Sequence, residues 1–120
     1  MKRLQAAVYV AVLSVGASWS LTTSAMSPSE IEEAQKLYRE HCRHCHDDGS
    51  ENGYYTPMSL IQAQWERFFD RKFERKHRKV TDEKFGGVPV TEAISPEDLE
   101  KIRRFSIEHA ADTDQPMTCN

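Results

Sequence analysis

The chain has 120 residues, of which 16 are lysine or arginine and 19 are aspartate or glutamate, so its formal net charge is −3. This length and a hydrophobic content of 38% predict one small domain. The negative charge disfavours nucleic acid as a partner, because binding to phosphates needs a basic surface.

The N-terminal segment differs in composition from the rest of the chain. Residues 1–25 contain 15 hydrophobic residues and no acid, and a Lys-Arg pair precedes an apolar stretch over 6–17. A small Thr-Ser-Ala sequence that ends at Ala25 is typical of a cleavage site. The pattern predicts a signal peptide over 1–25, export to the periplasm and a mature domain, 26–120, of charge −5 that begins at Met26. A retained membrane anchor is disfavoured, since small polar residues interrupt the apolar run.

The sequence Cys42-Arg43-His44-Cys45-His46 carries the strongest chemical signal. A CxxCH motif is typical of c-type haem attachment, in which two thiols bond to the porphyrin and the histidine binds the iron. Only 31 of the 95 residues in 26–120 are hydrophobic, which favours a cofactor that helps to fill the core. The motif therefore predicts one covalent haem c, held by Cys42 and Cys45, with His46 as the proximal iron ligand.

Two other kinds of site could use these cysteines. A zinc site would combine them with His41 or His44, but no second CxxC or HxxxH follows in the chain. A redox dithiol is disfavoured by the following His46 and by the lack of a βαβ pattern. Cys119 is left over, and in an oxidising compartment it would be free, capped or joined to another molecule.

The apolar spacing predicts an all-α fold of three to four helices. The first helix begins at Ser27-Pro28 and leads into the CxxCH motif. The second runs from Ser59 to about Lys79, the last opens at Ser95-Pro96, and the tail after Ala111 is expected to fray. The second helix has the apolar stripe Ile61, Trp65, Phe68, Phe69 and Phe73, and the last has Leu99, Ile102, Phe105 and His109.

These features together resemble a class I monohaem cytochrome c. The matching parts are Leu37-Tyr38 before the motif, the glycines of the following loop, Pro57 eleven residues after His46, and the helix from Leu99 to Phe105. The resemblance implies a small domain wrapped around one haem, contact between Tyr38 and Phe105, and a hydrogen bond from His46 to the Pro57 carbonyl. It also implies one-electron transfer between redox partner proteins, with a membrane-bound oxidoreductase as a candidate, rather than an enzymatic activity.

The distal iron ligand is where the chain departs from that family. A Met-Pro pair before the last helix supplies the ligand in the family, whereas this chain has Val88-Pro89. His77 leads the alternatives because it follows Trp65, Phe69 and Phe73 at intervals of four residues, at the end of an aromatic stripe. It could instead be a solvated residue of a basic helix end. The other candidates are Met58, His109 and Met117.

Two further hypotheses depend on this region. An open distal site would favour a haem-based sensor or ligand-binding protein, and the chain could also be the haem subunit of a larger oxidoreductase. The basic residues around His77 could steer an acidic redox partner, although acids lie among them and would weaken the field. These basic residues are Arg71, Lys72, Arg75, Lys76, Arg78 and Lys79.

Overall fold

The computed structural model of the protein describes residues 24–119, so most of the predicted signal peptide lies outside the described residues. Within this range the chain forms α-helices and no β-strand, in agreement with the predicted all-α class. None of these helices is long and apolar enough to cross a membrane. The helices are α1 (Pro28–Tyr38), α2 (Gln62–Arg71), α3 (Phe73–His77), α4 (Val90–Ala93) and α5 (Pro96–Glu108).

Helix α1 begins where the sequence predicts. The Ser27 hydroxyl accepts a hydrogen bond from the Glu30 amide, and the Glu30 carboxylate accepts one from the Ser27 amide at 2.7 Å. This capping box satisfies two amides that have no partner within the helix. A π-helical turn over Arg39–Arg43 then continues α1 into the CxxCH motif. The first helix therefore ends at the predicted site.

The predicted start of the second helix at Ser59 is wrong. Pro57–Ser59 forms a 3-10 turn, and Leu60 and Ile61 are extended, so α2 begins at Gln62. The proline fixes its own backbone angle and favours such a tight turn. Ile61 is consequently exposed and lies outside the helical stripe.

The second helix is also interrupted. Lys72 has a φ of −119°, which ends α2, and α3 begins at the next residue. The Lys72 amide still bonds to the Phe68 carbonyl at 2.8 Å, so the interruption is a kink without an intervening loop. Neither α3 nor the short α4 is predicted as a separate helix.

The core joins the first and last helices. The rings of Tyr38 and Phe105 are buried, with centres 5.8 Å apart, which confirms the predicted contact. The Ser95 hydroxyl accepts a hydrogen bond from the Asp98 amide at 3.1 Å, so α5 begins as predicted. The π-helical turn that contains Cys42 directly follows α1, the first helix of this pair.

The expectation of a frayed tail is wrong for the described residues. The Met117 amide bonds to the His109 carbonyl at 3.1 Å, and the Arg43 guanidinium donates to the Thr118 carbonyl at 3.1 Å. The Arg39 Nε donates to the Cys119 carbonyl at 3.3 Å. These bonds hold the tail against the π-helical turn and the end of α5, and Cys119 lies in the core with 5% of its surface exposed.

Candidate functional site: an imidazole pair in an apolar cavity

An open cavity of about 650 Å³ lies between the CxxCH motif and the kinked pair α2 and α3. Its volume is in the usual range for sites that hold a cofactor or small ligand. Cys42, Cys45 and His46 contribute to one part of its wall, and His77 contributes to another. The other aromatic side chains in the wall are Tyr38, His41, Tyr55, Trp65, Phe68, Phe69 and Phe73.

A tight turn brings the motif side chains to this cavity. The amides of Cys45 and His46 both donate to the Cys42 carbonyl, at 3.2 and 3.0 Å. Two bonds to one carbonyl wind the chain closely after the π-helical turn. As a result, both thiols and the imidazole reach the same cavity.

Backbone carbonyls orient the His46 ring. Its Nδ1 lies 3.0 Å from the Asn52 oxygen and 3.1 Å from the Gly53 oxygen. A carbonyl oxygen only accepts, so Nδ1 carries the proton and Nε2 keeps its lone pair when the ring is neutral. Gly53 has a φ of +86°, a conformation that favours glycine. This acceptor pair is missed by the sequence analysis, although the glycine in the loop is its visible signal.

The predicted acceptor for His46, the carbonyl of Pro57, is wrong. That oxygen accepts a hydrogen bond from the Trp65 indole at 2.8 Å, in a buried position. The bond ties the loop before α2 to the first turn of that helix. The loop glycine is closer to His46 because the chain turns back immediately after the motif, where the Tyr55 amide bonds to the His46 carbonyl at 3.2 Å.

The His77 ring is oriented in the same way as the His46 ring. Its Nδ1 lies 2.9 Å from the Phe73 carbonyl oxygen, so Nδ1 is the donor and Nε2 keeps its lone pair in the neutral ring. The ring stacks on Phe73 at 4.7 Å between centres and is half-buried. Burial lowers the pKa of this imidazole, which favours the neutral form that binds metals. The centres of the His46 and His77 rings are 6.2 Å apart.

The other three candidate distal ligands do not line this cavity. Met58 is 40% exposed, and Met117 packs against the hydrophobic core. His109 is buried beyond the end of α5, where its Nδ1 lies 2.7 Å from the Gln115 carbonyl oxygen. Of the four, His77 alone shares a cavity with His46.

The environment of the motif cysteines disfavours a redox dithiol. Burial raises the pKa of the Cys42 thiol to about 12, and burial together with the charge of Asp82 raises the pKa of the Cys45 thiol. Reactive dithiols instead have lowered pKa values, because the thiolate is the nucleophile. Both thiols are therefore protonated at neutral pH.

Three side chains near the motif lie close enough together to be considered as a metal site. One ligand atom each from His44, Cys45 and Asp82 lies within 4.8 Å of the others, and the His44 Nε2 is 2.8 Å from the Asp82 carboxylate. A structural zinc site normally has four ligands, and Cys42 is outside this group. His41 stacks on Phe85 at 4.9 Å instead of joining it. The contact between His44 and Asp82 is sufficient to explain this arrangement without a metal ion.

Three exposed cations contribute to the wall of the cavity. They are Arg67, Lys72 and Lys76. They belong to the kinked helix pair and lie on the same side as His77. The cavity therefore combines apolar walls with positive charge at its edge.

Comparison with protein-family models, with curated proteins and with solved structures finds no match to this chain. The function is accordingly inferred from the residues of the cavity and from their chemistry.

Proposed function

We propose that this protein is an exported c-type cytochrome that holds one covalent haem and carries single electrons between periplasmic redox partners. The observation that supports this best is the pair of imidazoles, His46 and His77, in one apolar cavity with two thiols. Each imidazole donates its Nδ1 proton to a backbone carbonyl and leaves Nε2 for a metal. This is the usual arrangement of a histidine ligand and its supporting hydrogen bond.

The residues of the cavity are compatible with a haem. Metal–imidazole bonds are about 2 Å long, so two rings that share one metal ion have centres roughly 6 Å apart. The measured separation is 6.2 Å. The aromatic walls suit a flat apolar macrocycle, and Arg67, Lys72 and Lys76 suit its carboxylates. The aromatic walls, the cations and the position of His77 lie outside the CxxCH motif and support the same cofactor.

The proposed roles of the residues follow from their positions. Cys42 and Cys45 tether the cofactor through thioether bonds, and His46 and His77 are the proximal and distal iron ligands. The carbonyls of Gly53 and Phe73 fix the tautomer and direction of the two rings. The haem, when bound, supplies reversible one-electron chemistry.

Two histidine ligands support a carrier better than a sensor. A sensor or ligand-binding protein needs a free coordination position, whereas His77 is close enough to His46 to fill the sixth position. Ligands that remain bound in both oxidation states keep the structural change on electron transfer small. The basic surface formed by Lys72 and Lys76 at the mouth would favour approach of an acidic partner.

Absorption spectra of the exported protein test this proposal. We expect a low-spin, six-coordinate haem in both the oxidised and the reduced protein, with little change when carbon monoxide is added at neutral pH. Rapid carbon monoxide binding would instead support the sensor. A protein exported in haem-producing cells that has no haem absorption would contradict the proposal altogether.

A further inference from the structure

The residue that begins the predicted mature chain is part of the core. The Met26 side chain is 7% exposed and packs in the same cluster as Ala34, Ile102 and Phe105. The residues before it, Ser24 and Ala25, are exposed. Met26 is therefore the first buried residue of the described chain, although Ser27 and Pro28 after it are exposed again.

The backbone nitrogen of Met26 has an acidic partner. It donates a hydrogen bond to the Glu108 carboxylate at 2.9 Å, across 82 residues of sequence. The other oxygen of this carboxylate lies 3.4 Å from the Arg104 guanidinium, which is also 3.7 Å from Glu30. Two carboxylates and one guanidinium therefore meet beside this nitrogen, and the local balance of charge lacks one cation.

We propose that hydrolysis of the Ala25–Met26 bond by a signal peptidase supplies that cation, and that Glu108 is the binding site for the new N-terminal ammonium group. Water is consumed, the carboxylate forms on Ala25 and leaves with residues 1–25, and the Met26 nitrogen gains the protons. The amide hydrogen bond to Glu108 becomes a charge-assisted bond, which is stronger than the neutral one.

The same contacts indicate which peptide bond is cleaved. A chain that began at Ala25 would keep an uncharged amide beside Glu108 and carry its ammonium on an exposed residue. A chain that began at Ser27 would remove a buried side chain from the core, and such losses typically cost about 2–5 kcal/mol. Only a start at Met26 keeps the side chain and gives Glu108 a second cationic partner beside Arg104. This inference does not depend on the haem.

The first test identifies the N-terminus. The full-length chain is expressed with its own N-terminal segment, and the N-terminal peptide of the exported protein is identified by mass spectrometry. We expect a peptide that begins at Met26 with a free amine. A start at any other residue would overturn the proposal, whether or not the protein contains haem.

The second test measures the pairing of the Met26 amine with the Glu108 carboxylate. The rate at which a limiting acylating reagent modifies the Met26 amine is compared in the wild type, in Glu108→Gln and in Glu100→Gln. Glu100 serves as control because it is a glutamate of the same helix, α5, that pairs with a cation elsewhere, with Arg103 at 3.7 Å. Loss of an exposed pair changes an equilibrium by about two- to fivefold, so we expect modification of Glu108→Gln to be faster by about that factor. Glu100→Gln should match the wild type.

Equal rates in Glu108→Gln and in the wild type would refute the pairing. Glutamine has nearly the size of glutamate, so the variant leaves access to the amine unchanged. A comparison that needs no variant is the wild-type protein, folded and in urea. The paired amine should react more slowly in the folded protein, and equal reactivity would also contradict the proposal.

Discussion

The His46 and His77 rings lie 6.2 Å apart, with 76° between their planes, although they are far apart in the sequence. The turn after α1 fixes one ring and the end of α3 fixes the other. The Nδ1 atom of each ring lies within hydrogen-bond distance of a backbone carbonyl, and both rings line the same cavity. In the neutral form, each ring would then offer Nε2 to a metal ion.

Replacement of His77 should change the coordination of the iron. We expect His77→Ala to open the sixth position, so that the reduced protein binds carbon monoxide rapidly. His77→Met should keep a ligand in reach and raise the reduction potential, because thioether sulfur favours the reduced iron. Absorption spectra with and without carbon monoxide, together with redox titration, measure both effects.

Met58→Leu is the matched control for these variants. Met58 is exposed and does not line the cavity, so this swap of similar volume should leave the spectrum and the potential unchanged. A methionine-to-iron charge-transfer band in the oxidised wild type would mean that the distal ligand is a methionine. Loss of that band in Met58→Leu or Met117→Leu would identify which one.

Gly53→Ala should disturb the proximal side of the site. A Cβ added at Gly53 would lie 3.0 Å from the Tyr55 ring, in a residue with φ of +86° whose carbonyl accepts from His46. Gly49→Ala is the control, since Gly49 has a similar φ of +78° but nothing within 4 Å of the added atom.

Both glycine variants should lose about 1–2 kcal/mol from the left-handed backbone conformation. Only Gly53→Ala should lose more than this and also alter the haem spectrum. Urea unfolding and the absorption spectrum provide the two measurements. Equal stabilities together with unchanged spectra would show that the Gly53 carbonyl has no part in orienting His46.

The number of reactive thiols distinguishes Cys119 from the motif cysteines. Burial raises the pKa of Cys119 to about 11, so the folded protein should react slowly with alkylating reagents at pH 8. After denaturation we expect one thiol per chain, since the proposed thioether bonds would occupy Cys42 and Cys45. Three reactive thiols would mean that no haem is attached, and none would mean that Cys119 is modified or joined to another molecule.

The lysines at the mouth should affect electron transfer with anionic reagents. Oxidation of the reduced protein by hexacyanoferrate(III) is expected to slow by about two- to tenfold at low ionic strength in Lys72→Glu and Lys76→Glu. Lys36→Glu changes the net charge equally at an exposed position on α1 that does not line the cavity. Equal slowing in all three variants would show that only net charge matters. The difference should disappear at high salt.

The sequence predicts where α1 and α5 begin, because helix caps depend on neighbouring residues. Ser27-Pro28 and Ser95-Pro96 contain the caps of α1 and α5, and both helices begin there. The kink at Lys72 is not predicted, because no glycine or proline marks it. Docking of the tail is missed for a related reason: it depends on Arg39 and Arg43, whose partners are about 80 residues away.

The candidate site, too, is predicted from the sequence only in part. The spacing of CxxCH and the aromatic stripe identify residues that share one cavity. The acceptor of His46 is misassigned to Pro57, because the sequence does not reveal that the Trp65 indole occupies that carbonyl. The cations at the mouth become part of the site only when the kinked helices are in place.

The intact mass of the exported protein, measured after denaturation in acid and organic solvent, tests the central claim most directly. These conditions remove a haem that is held only by its iron ligands, whereas thioether bonds survive. The account predicts a single species with the mass of residues 26–120 plus one haem. The mass of the polypeptide alone, from cells that attach haem to other c-type cytochromes, would contradict it.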